Sequence, residues 1–243
     1  MGRNSNDIAT FDWRGYTGNK AVFPVCMRSP AVRGRCLTAQ MKAAAEHVEH
    51  LVLLVCDSLD RHNIKNIEHP KQAALDLAQT WIEGNLERVT PYFKSVTVLG
   101  WEADIRSHPL FTRRVAQLSE LRKMSPHYRD LVHTLSTYYL NSKRNRFEAD
   151  QRRGLATWFD SQEAYESSRD YLEEEFAGNM VCHAITGGLP FIYHGLCIDD
   201  YQFFARSSSS EALTYPVFLP VNSKRLGPSI PASSLFEGTQ QVA

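Results

Sequence analysis

Several polar side chains stand where they could carry out acyl-transfer chemistry. Ser29 lies in a Met-Arg-Ser-Pro-Ala stretch that directly follows an apolar segment. Tyr171 and Glu175 are four residues apart in a helix-forming region, so their side chains would lie on one face of that helix. Tyr193 and His194 follow each other at the end of a short apolar segment later in the chain. A serine hydroxyl can accept an acyl group, and the other groups can bind an amine or move a proton.

The position of Ser29 depends on the segment Ala21–Met27, in which apolar side chains fall on both faces of a strand. This pattern predicts a parallel strand that helices cover on each side. Ligands of parallel sheets bind at the carboxyl ends of the strands, where Ser29 would lie. Pro30 would hold Ser29 extended, and Gly34 would permit the turn that follows. A Ser-Pro pair is most often only a turn, so the interpretation of Ser29 as a nucleophile depends on the other groups.

Two further apolar runs predict the same parallel sheet. Leu51–Cys56 and Val96–Trp101 each have the composition of a buried strand, and a helix over Leu37–His50 would connect the first two strands. A right-handed crossover would bring the carboxyl ends of these strands to one edge. We therefore predict an α/β fold, a single Rossmann-like domain with a parallel sheet flanked by helices. Its predicted boundaries are 20–221, after an irregular lead-in, 1–19, and before a poorly ordered tail, 222–243.

Start signals and periodicity predict the remaining elements. Helices are predicted from Pro70, over Leu110–Met124 and Pro126–Asn145, from Asp160 and over Asp199–Ser207. Strands are predicted over Leu189–Gly195 and Tyr215–Val221.

Charge is distributed unevenly along a chain whose net charge is zero. Residues 106–153 contain eleven Lys and Arg against four Asp and Glu, whereas residues 154–211 contain two against ten. A solvated helix face is the common explanation of such a run, but few acids are available to neutralise this one. We therefore predict that these helices bind the phosphate groups of a nucleic acid. The predicted contacts are Arg113, Arg114, Arg122, Lys123, Lys143, Arg144 and Arg146.

Composition argues against several other classes of protein. The five cysteines show no Cys-x-x-Cys spacing and the nine histidines no metal-binding spacing, so we predict neither disulfides nor a metal site. The chain has no Gly-x-Gly-x-x-Gly motif and no phosphate-binding loop, and we expect no cofactor. No apolar run is long enough to span a membrane, and the first residues lack the apolar core of a signal peptide. We therefore expect a cytoplasmic protein.

In combination, the polar side chains resemble the site of the tRNA-dependent cyclodipeptide synthases. In that family a serine after the first strand is the nucleophile, and a Tyr-x-x-x-Glu motif stands on a late helix. A second tyrosine, followed by His or Pro, completes the family's site. Ser29 matches the first feature, Tyr171 with Glu175 the second, and Tyr193-His194 the third.

The family divides into two groups by the residue three positions after the nucleophile, which is Asn in one group. Val32 occupies this position here, whereas the ending Tyr193-His194 is that of the Asn group. The chain is similar to the divergent fungal branch that makes arginine-containing cyclodipeptides. The resemblance therefore implies arginyl-tRNA as one substrate, with Val32 and His194 among the residues that bind substrate.

The resemblance also implies a fold and a mechanism. The fold would be like the catalytic domain of class I aminoacyl-tRNA synthetases, and two aminoacyl-tRNAs would react to give a diketopiperazine without a cofactor. Ser29 would take the first acyl group, Glu175 would bind its ammonium group, and Tyr171 would orient it. Tyr193 would hydrogen-bond the amine and relay protons.

An arginine substrate would bring a guanidinium group that needs a carboxylate partner. The candidates are acids at the carboxyl ends of predicted strands, together with one acid beside the Tyr-Glu face of the late helix. They are Glu102, Asp104, Asp199, Asp200 and Glu174.

Two alternatives from other classes of protein remain open at this stage. A serine hydrolase or acyltransferase acting on a small ester would need a histidine to activate Ser29, and His194 and His183 are the nearest candidates. A non-catalytic tRNA-binding module would use the basic helices and give Ser29 no role.

Overall fold

The computed structural model describes residues 10–11, 16–27, 29–64, 68–151, 162–193 and 218–222. The strands in this part of the chain are β1 (Thr10–Phe11), β2 (Lys20–Val25), β3 (His50–Val55), β4 (Ser95–Gly100), β5 (Phe191–Tyr193) and β6 (Phe218–Asn222). The α-helices are α1 (Gly34–Ala45), α2 (Pro70–Val89), α3 (Pro109–Met124), α4 (Pro126–Gln151) and α5 (Gln162–Ile185). Short helical turns lie at Pro30–Val32, Ser58–Asn63, Thr90–Tyr92 and Trp101–Arg106.

The described strands form one sheet in the order β1-β6-β5-β2-β3-β4. The strands from β6 to β4 are parallel to their neighbours, and β1 runs antiparallel to β6. The parallel sheet flanked by helices, which the sequence predicts, is confirmed. The predicted lead-in, 1–19, is not irregular throughout, because Thr10 and Phe11 form β1, which pairs with Val221 and Asn222 of β6. Two residues at a sheet edge are too few to show an alternating pattern in the sequence.

The order of the strands along the chain reverses between β2 and β5, and ligand crevices of doubly wound sheets open at such a reversal. Val22 donates its N–H to the carbonyl of Pro190, so its backbone faces β5. Pro24, two residues further along β2, faces the same junction but has no N–H to donate. The junction is therefore weakened toward the carboxyl ends of the two strands, where Ser29 and Tyr193 lie.

Helices cover both faces of the sheet. α1 and α2 pack on one face with Met41 and Trp81 in the core. α3, α4 and α5 pack on the other face, where Tyr128 and Phe176 are buried. Because alternate residues of each strand point to opposite faces, both faces must be apolar, and this accounts for the unbroken apolar runs of β2 and β3.

One local prediction is wrong and one element is not predicted, and each has a physical reason. The segment of Glu102 and Asp104, for which the sequence predicts no element, is a π-helical turn, because Trp101 and Ile105 are fully buried and fold it onto the core. The first connecting helix ends at Ala45 and not at position 50, because the N–H groups of residues 49 and 50 bond to the carbonyl of residue 19 and lead into β3.

Some predicted elements are shorter than expected or lie outside the described residues. β5 begins at Phe191, two residues after the predicted start, and its described part runs to Tyr193. The predicted helix Asp199–Ser207 and the predicted tail beyond residue 222 lie outside the described part of the chain. Within that part, no helix has the length and apolar character needed to cross a membrane.

Candidate active site

Ser29 follows β2 and caps a 3₁₀ turn at the carboxyl edge of the sheet. The N–H of Ala31 donates to its hydroxyl oxygen at 3.3 Å, and its own N–H donates to the carbonyl of Cys26 at 2.9 Å. Its backbone is extended, with φ −72° and ψ 128°, the conformation that the following Pro30 favours. The hydroxyl is half-buried and held by the backbone, as a positioned nucleophile would be.

Tyr171 is buried on α5 and is held between two other rings. Tyr139 stacks on it with ring centroids 5.0 Å apart and an angle of 12° between the planes, and His62 meets its ring edge-on at 6.4 Å. The Tyr139 hydroxyl donates to the side-chain oxygen of Asn63 at 3.1 Å. Burial, and after it the nearby Glu175 carboxylate, raises the pKa of Tyr171 well above its ordinary value. The phenol therefore stays protonated at neutral pH and can donate a hydrogen bond.

Two thiols connect α5 to the carboxyl edge of the sheet. Cys26 and Cys56 directly follow the neighbouring strands β2 and β3. A hydrogen bond with the Cys26 thiol and burial raise the pKa of Cys56, and the Glu175 carboxylate raises it further. Cys26 also contributes to the raised pKa of Tyr171. These interactions place Tyr171 and Glu175 close to the ends of β2 and β3, beside the turn that carries Ser29.

Glu174 is the centre of a charge network at the same edge. Arg61 donates to both of its oxygens, to Oε1 at 2.9 Å, while His62 lies 2.9 Å from Oε2. The indole N–H of Trp101 donates at 3.1 Å, and Nε of Arg106 lies 3.3 Å away. Burial by itself would raise the pKa of Glu174, but the bonds from His62 and Arg61 outweigh it and lower the pKa to about 2. Because Glu174 already binds guanidinium groups of this chain, the interpretation of it as a substrate-binding acid is not supported.

The two acids after β4 differ in their surroundings. Glu102 pairs with Lys71 at 2.5 Å and with Arg106 at 2.9 Å. Burial would raise its pKa, but these hydrogen bonds lower it to about 2. Asp104 is exposed and accepts a hydrogen bond from the N–H of Gly100 at 2.7 Å. β4 is two strands from β2, about 10 Å at the usual strand spacing. Of these two acids, Asp104 has no ion-pair partner among the described contacts.

The structure describes only some of the other residues that are predicted to contact substrate. The backbone of Tyr193 ends β5 at the weakened junction with β2. The side chain of Val32 is fully buried and packs in the core beneath α1, and its contact with substrate stays a prediction. His194, Asp199 and Asp200 lie outside the described residues.

His183 does not lie where a hydrolase would need it. It is near the carboxyl end of α5, and its Nδ1 is 3.4 Å from the carbonyl of Leu189, just before β5 begins. Burial lowers its pKa. It lies twelve residues beyond Tyr171 on α5, about 18 Å along the helix, toward the amino edge of the sheet. Ser29 lies at the opposite edge, so His183 is not positioned to activate it.

The predicted basic contacts on α3 fall into two kinds. Arg122 forms an ion pair with Glu173 of α5 at 2.7 Å and joins the two helices. Arg114 is half-buried and donates to Gln117. Arg113 and Lys123 are exposed, and Lys123 forms an ion pair with the exposed Glu120. Arg113 and Lys123 are thus accessible to a phosphate, whereas Arg122 is part of the packing between α3 and α5. Lys143, Arg144 and Arg146 lie on the last turns of α4, where only the backbone is described.

Sequence reasoning missed the residues that hold α5 in place. Arg61, His62 and Asn63 belong to the turn after β3, and Tyr139 belongs to α4. No motif marks them, and the available signal was their position directly after a predicted strand, at the edge where ligands bind. In the part of the chain that is described, no three His, Cys, Asp or Glu side chains are grouped so that they could hold a metal ion.

Comparison by sequence gives no match, either to a family model or to a curated protein. Comparison by structure gives a consistent result. The fold is similar to a cyclodipeptide synthase (CDPS) from Fluoribacter dumoffii, with a TM-score of 0.69 and 14% identity over 90% of this chain and 94% of that one. It is also similar to AlbC, a cyclodipeptide synthase from Streptomyces noursei, with a TM-score of 0.55 and 10% identity over 84% of this chain and 95% of that one.

A third neighbour comes from Mycobacterium tuberculosis, with a TM-score of 0.54 and 14% identity over 81% of this chain and 87% of that one. Its structure is described as demonstrating that cyclodipeptide synthetases are related to type I tRNA synthetases. At these identities the likeness establishes the fold, a Rossmann-like sheet of the kind found in those proteins.

Proposed function

We propose that this chain is a tRNA-dependent cyclodipeptide synthase that joins two aminoacyl groups through an ester of Ser29. The observation that supports the proposal is that Ser29 caps the turn after β2, at the carboxyl edge of the sheet, while Tyr171 and Glu175 of α5 interact electrostatically with Cys26 and Cys56, which directly follow β2 and β3. That edge adjoins the weakened β2–β5 junction, where a crevice is expected. The fold shared with the neighbours named above supports the same function.

In the first step, the Ser29 hydroxyl attacks the ester carbonyl of an aminoacyl-tRNA. The serine loses its proton, the tRNA leaves with its terminal hydroxyl protonated, and an aminoacyl ester of Ser29 forms. No ATP is needed, because the tRNA ester is already activated. The N–H of Ala31, which donates to the serine oxygen, would stabilise negative charge on that oxygen before attack.

In the second step, the amine of another aminoacyl-tRNA attacks the ester of Ser29. A peptide bond forms and the serine oxygen leaves, which gives a dipeptidyl-tRNA and free Ser29. The Ser29 hydroxyl then attacks the ester of this dipeptidyl-tRNA and releases the second tRNA, and the free amine of the dipeptide attacks the new serine ester, which closes the ring and frees the Ser29 hydroxyl. Each attack by an amine requires that the amine has lost a proton. Glu175 would bind the first ammonium group and accept its proton, and the protonated phenol of Tyr171 would orient it. Tyr193, on the neighbouring strand β5, would hydrogen-bond the amine.

The basic helices would bind tRNA outside this crevice. α3 and α4 pack on the same face of the sheet as α5, so phosphates bound there would lie on the face that carries the helix of Tyr171 and Glu175. Arg113 and Lys123 are the exposed candidates on α3, and Lys143, Arg144 and Arg146 lie further along the chain on α4.

The finer proposal is that one substrate is arginyl-tRNA and the product is cyclo(Arg-Xaa). Its support is the acidic stretch after residue 154, since a guanidinium group requires a carboxylate when it leaves water. Asp104 is the candidate among the described acids, and Asp199 and Asp200, which follow Tyr193-His194 in the sequence, are further candidates.

The experiment that tests the main proposal is incubation with a mixture of charged tRNAs, followed by mass spectrometry for diketopiperazines. Ser29→Ala should abolish product and leave the fold intact. Ser107→Ala, an exposed serine that follows the π-helical turn at the same edge, is the matched control and should retain activity. With a single aminoacyl-tRNA, denaturing mass spectrometry should show one added aminoacyl mass on Ser29. Retention of near wild-type turnover by Ser29→Ala would refute the covalent mechanism.

The same experiment separates the alternatives. A hydrolase would release free amino acid from charged tRNA and form no diketopiperazine. A tRNA-binding module would retain the tRNA and leave its ester intact. Either result from the wild-type protein would replace the proposed function.

A further inference from the structure

A basic groove lies between α1 and α2, on the face of the sheet that carries neither α3 nor α4. Its volume is about 500 Å³. Its lining combines three cationic side chains with small residues, namely Arg35, Lys42, Arg88, Gly34, Thr38 and Ala39. Arg35 and Lys42 are seven residues apart, so they lie on one side of α1, about two turns or 10 Å from each other.

The three cations of the groove are available to a ligand. None of the hydrogen bonds and ion pairs found among the described residues engages Arg35, Lys42 or Arg88, and all three side chains are exposed. α1 contains no acid between Gly34 and Ala45. The nearest acids along the chain are the exposed Glu46, after α1, and Glu87, beside Arg88 on α2. The local charge is therefore positive and directed to solvent.

The groove also leads to the candidate active site. α1 begins five residues after Ser29, and Arg33 at its start provides no side-chain cap, so the first N–H groups of the helix are open at the upper end of the groove. Arg35 lies in this first turn. Lys42 and Arg88 continue the positive charge down the helix pair, away from the carboxyl edge. A chain of phosphates lying along the groove would thus have its end at Ser29.

We infer that this groove binds the sugar-phosphate backbone of an aminoacyl-tRNA, at a site distinct from the basic surface of α3 and α4. The inference rests on the proposed function, which requires two aminoacyl-tRNAs to deliver acyl groups to one serine. The two basic surfaces lie on opposite faces of the sheet but reach the same edge. Two acceptor ends can therefore approach Ser29 from opposite sides without overlapping.

The test is the triple change Arg35→Ala, Lys42→Ala and Arg88→Ala. Binding of uncharged tRNA is measured by fluorescence anisotropy over a range of salt concentrations, and the number of tRNAs bound is measured by native mass spectrometry. The matched control removes the same charge from positions outside the groove, through Lys20→Ala, Lys94→Ala and Arg169→Ala. Thermal unfolding shows whether both variants retain the fold, as expected because five of the six positions are exposed and Arg169 is partly exposed.

The groove variant should bind one tRNA where wild type binds two, and its affinity should fall by at least tenfold at low salt. The magnitude of the slope of log K against log salt should decrease by about two to three, because three phosphate contacts are lost. Ser29 acylation or diketopiperazine formation should fall in parallel, while the control variant behaves as wild type. If the groove and control variants bind tRNA equally, the inference is overturned. It is also overturned if the triple change weakens the binding of inorganic polyphosphate but leaves the binding of tRNA unchanged.

Failure of the proposed function would be seen separately. If wild type forms no diketopiperazine but the groove variant still loses one bound tRNA, the groove stands as an RNA site and the synthase proposal falls. If wild type forms product and the groove variant binds two tRNAs as wild type does, the synthase proposal stands and the groove inference falls.

Discussion

Replacement of Glu174 by Gln should destabilise the protein by about 3 kcal/mol at neutral pH. Two independent arguments give this size. Lowering the carboxyl pKa from 4.5 to about 2 on folding corresponds to roughly 3 kcal/mol of stability once the group is ionised in both states. Removing one partner from a largely buried ion pair typically costs about 3–5 kcal/mol, because the remaining charge stays buried. Here the remaining charge is on Arg61, whose side chain is 19% exposed.

The pH dependence follows from the direction of this shift. Because the folded pKa lies below the unfolded one, the stabilisation is fully present above about pH 4.5 and is lost as the pH falls toward 2. The difference in the free energy of unfolding between wild type and Glu174→Gln should therefore become smaller as the pH falls from about 4.5 toward 2. Glu102, whose pKa is also lowered to about 2, titrates in both proteins, and the Arg106 that it shares with Glu174 couples the two carboxylates.

The assay is urea unfolding of wild type and variants at pH 7, 5 and 3.5. Glu173→Gln is the matched control, because burial raises the pKa of Glu173 despite its Arg122 partner. Neutralising Glu173 should cost less than neutralising Glu174 at pH 7, because burial already disfavours its ionised form in the folded state. In thermal unfolding, Glu174→Gln should lower Tm by about 10 °C for a domain of this size. A loss below 1 kcal/mol for Glu174→Gln, or a loss independent of pH, would refute the reasoning.

Three further outcomes are expected. Gly178→Ala should lower stability by about 2 kcal/mol, seen as a lower Tm, because a Cβ there would overlap the buried Trp101 ring. Arg113→Ala with Lys123→Ala should raise KM for aminoacyl-tRNA and flatten its salt dependence while Tm is unchanged, and equal salt slopes for variant and wild type would place the tRNA elsewhere. Asp104→Asn should reduce arginine incorporation by more than tenfold, with the second amino acid little affected, since a desolvated guanidinium loses about 2–5 kcal/mol without its carboxylate. Unchanged arginine incorporation would remove Asp104 from the site.

β2 and β3 could be predicted because a parallel strand buried on both faces has a composition that few other elements share. β4 was predicted at the right place, but its prediction as a buried strand is wrong, because it lies at the edge of the described sheet and is exposed or only partly buried. The predicted starts of β2, β3 and β4 each lie within one residue of the observed starts. The start of α3 was equally clear, since His108 caps the helix and Pro109 occupies its first turn. β1 and the π-helical turn escaped prediction because pairing across the sheet and burial of Trp101 determine them, and neither is visible in local sequence.

The charge network at the edge of the sheet could not be predicted for a related reason. Arg61 and Glu174 are 113 positions apart, and only the packing of α5 on the turn after β3 brings them together. Composition indicated that basic residues exceed acids along α3 and α4. It could not show that Arg122 is neutralised by Glu173 across a helix interface, because that partner belongs to the acidic stretch that follows.

The three consecutive glutamates of α5 show how the fold gives identical side chains different roles. Successive residues of a helix point about 100° apart, so Glu173, Glu174 and Glu175 must face three different neighbours. The first turns to Arg122 on α3, and the second to Arg61 after β3. These two pairs fix both the rotation of α5 and its height above the sheet, and together they leave the third carboxylate at the edge with Tyr171 and the thiols of Cys26 and Cys56. A rotation of one residue would exchange the carboxylate held by Arg61 with the one proposed to bind the amine. The ion pairs of Glu173 and Glu174 therefore act on the proposed reaction by positioning, and Glu174→Gln should lower turnover even under conditions in which the variant remains fully folded.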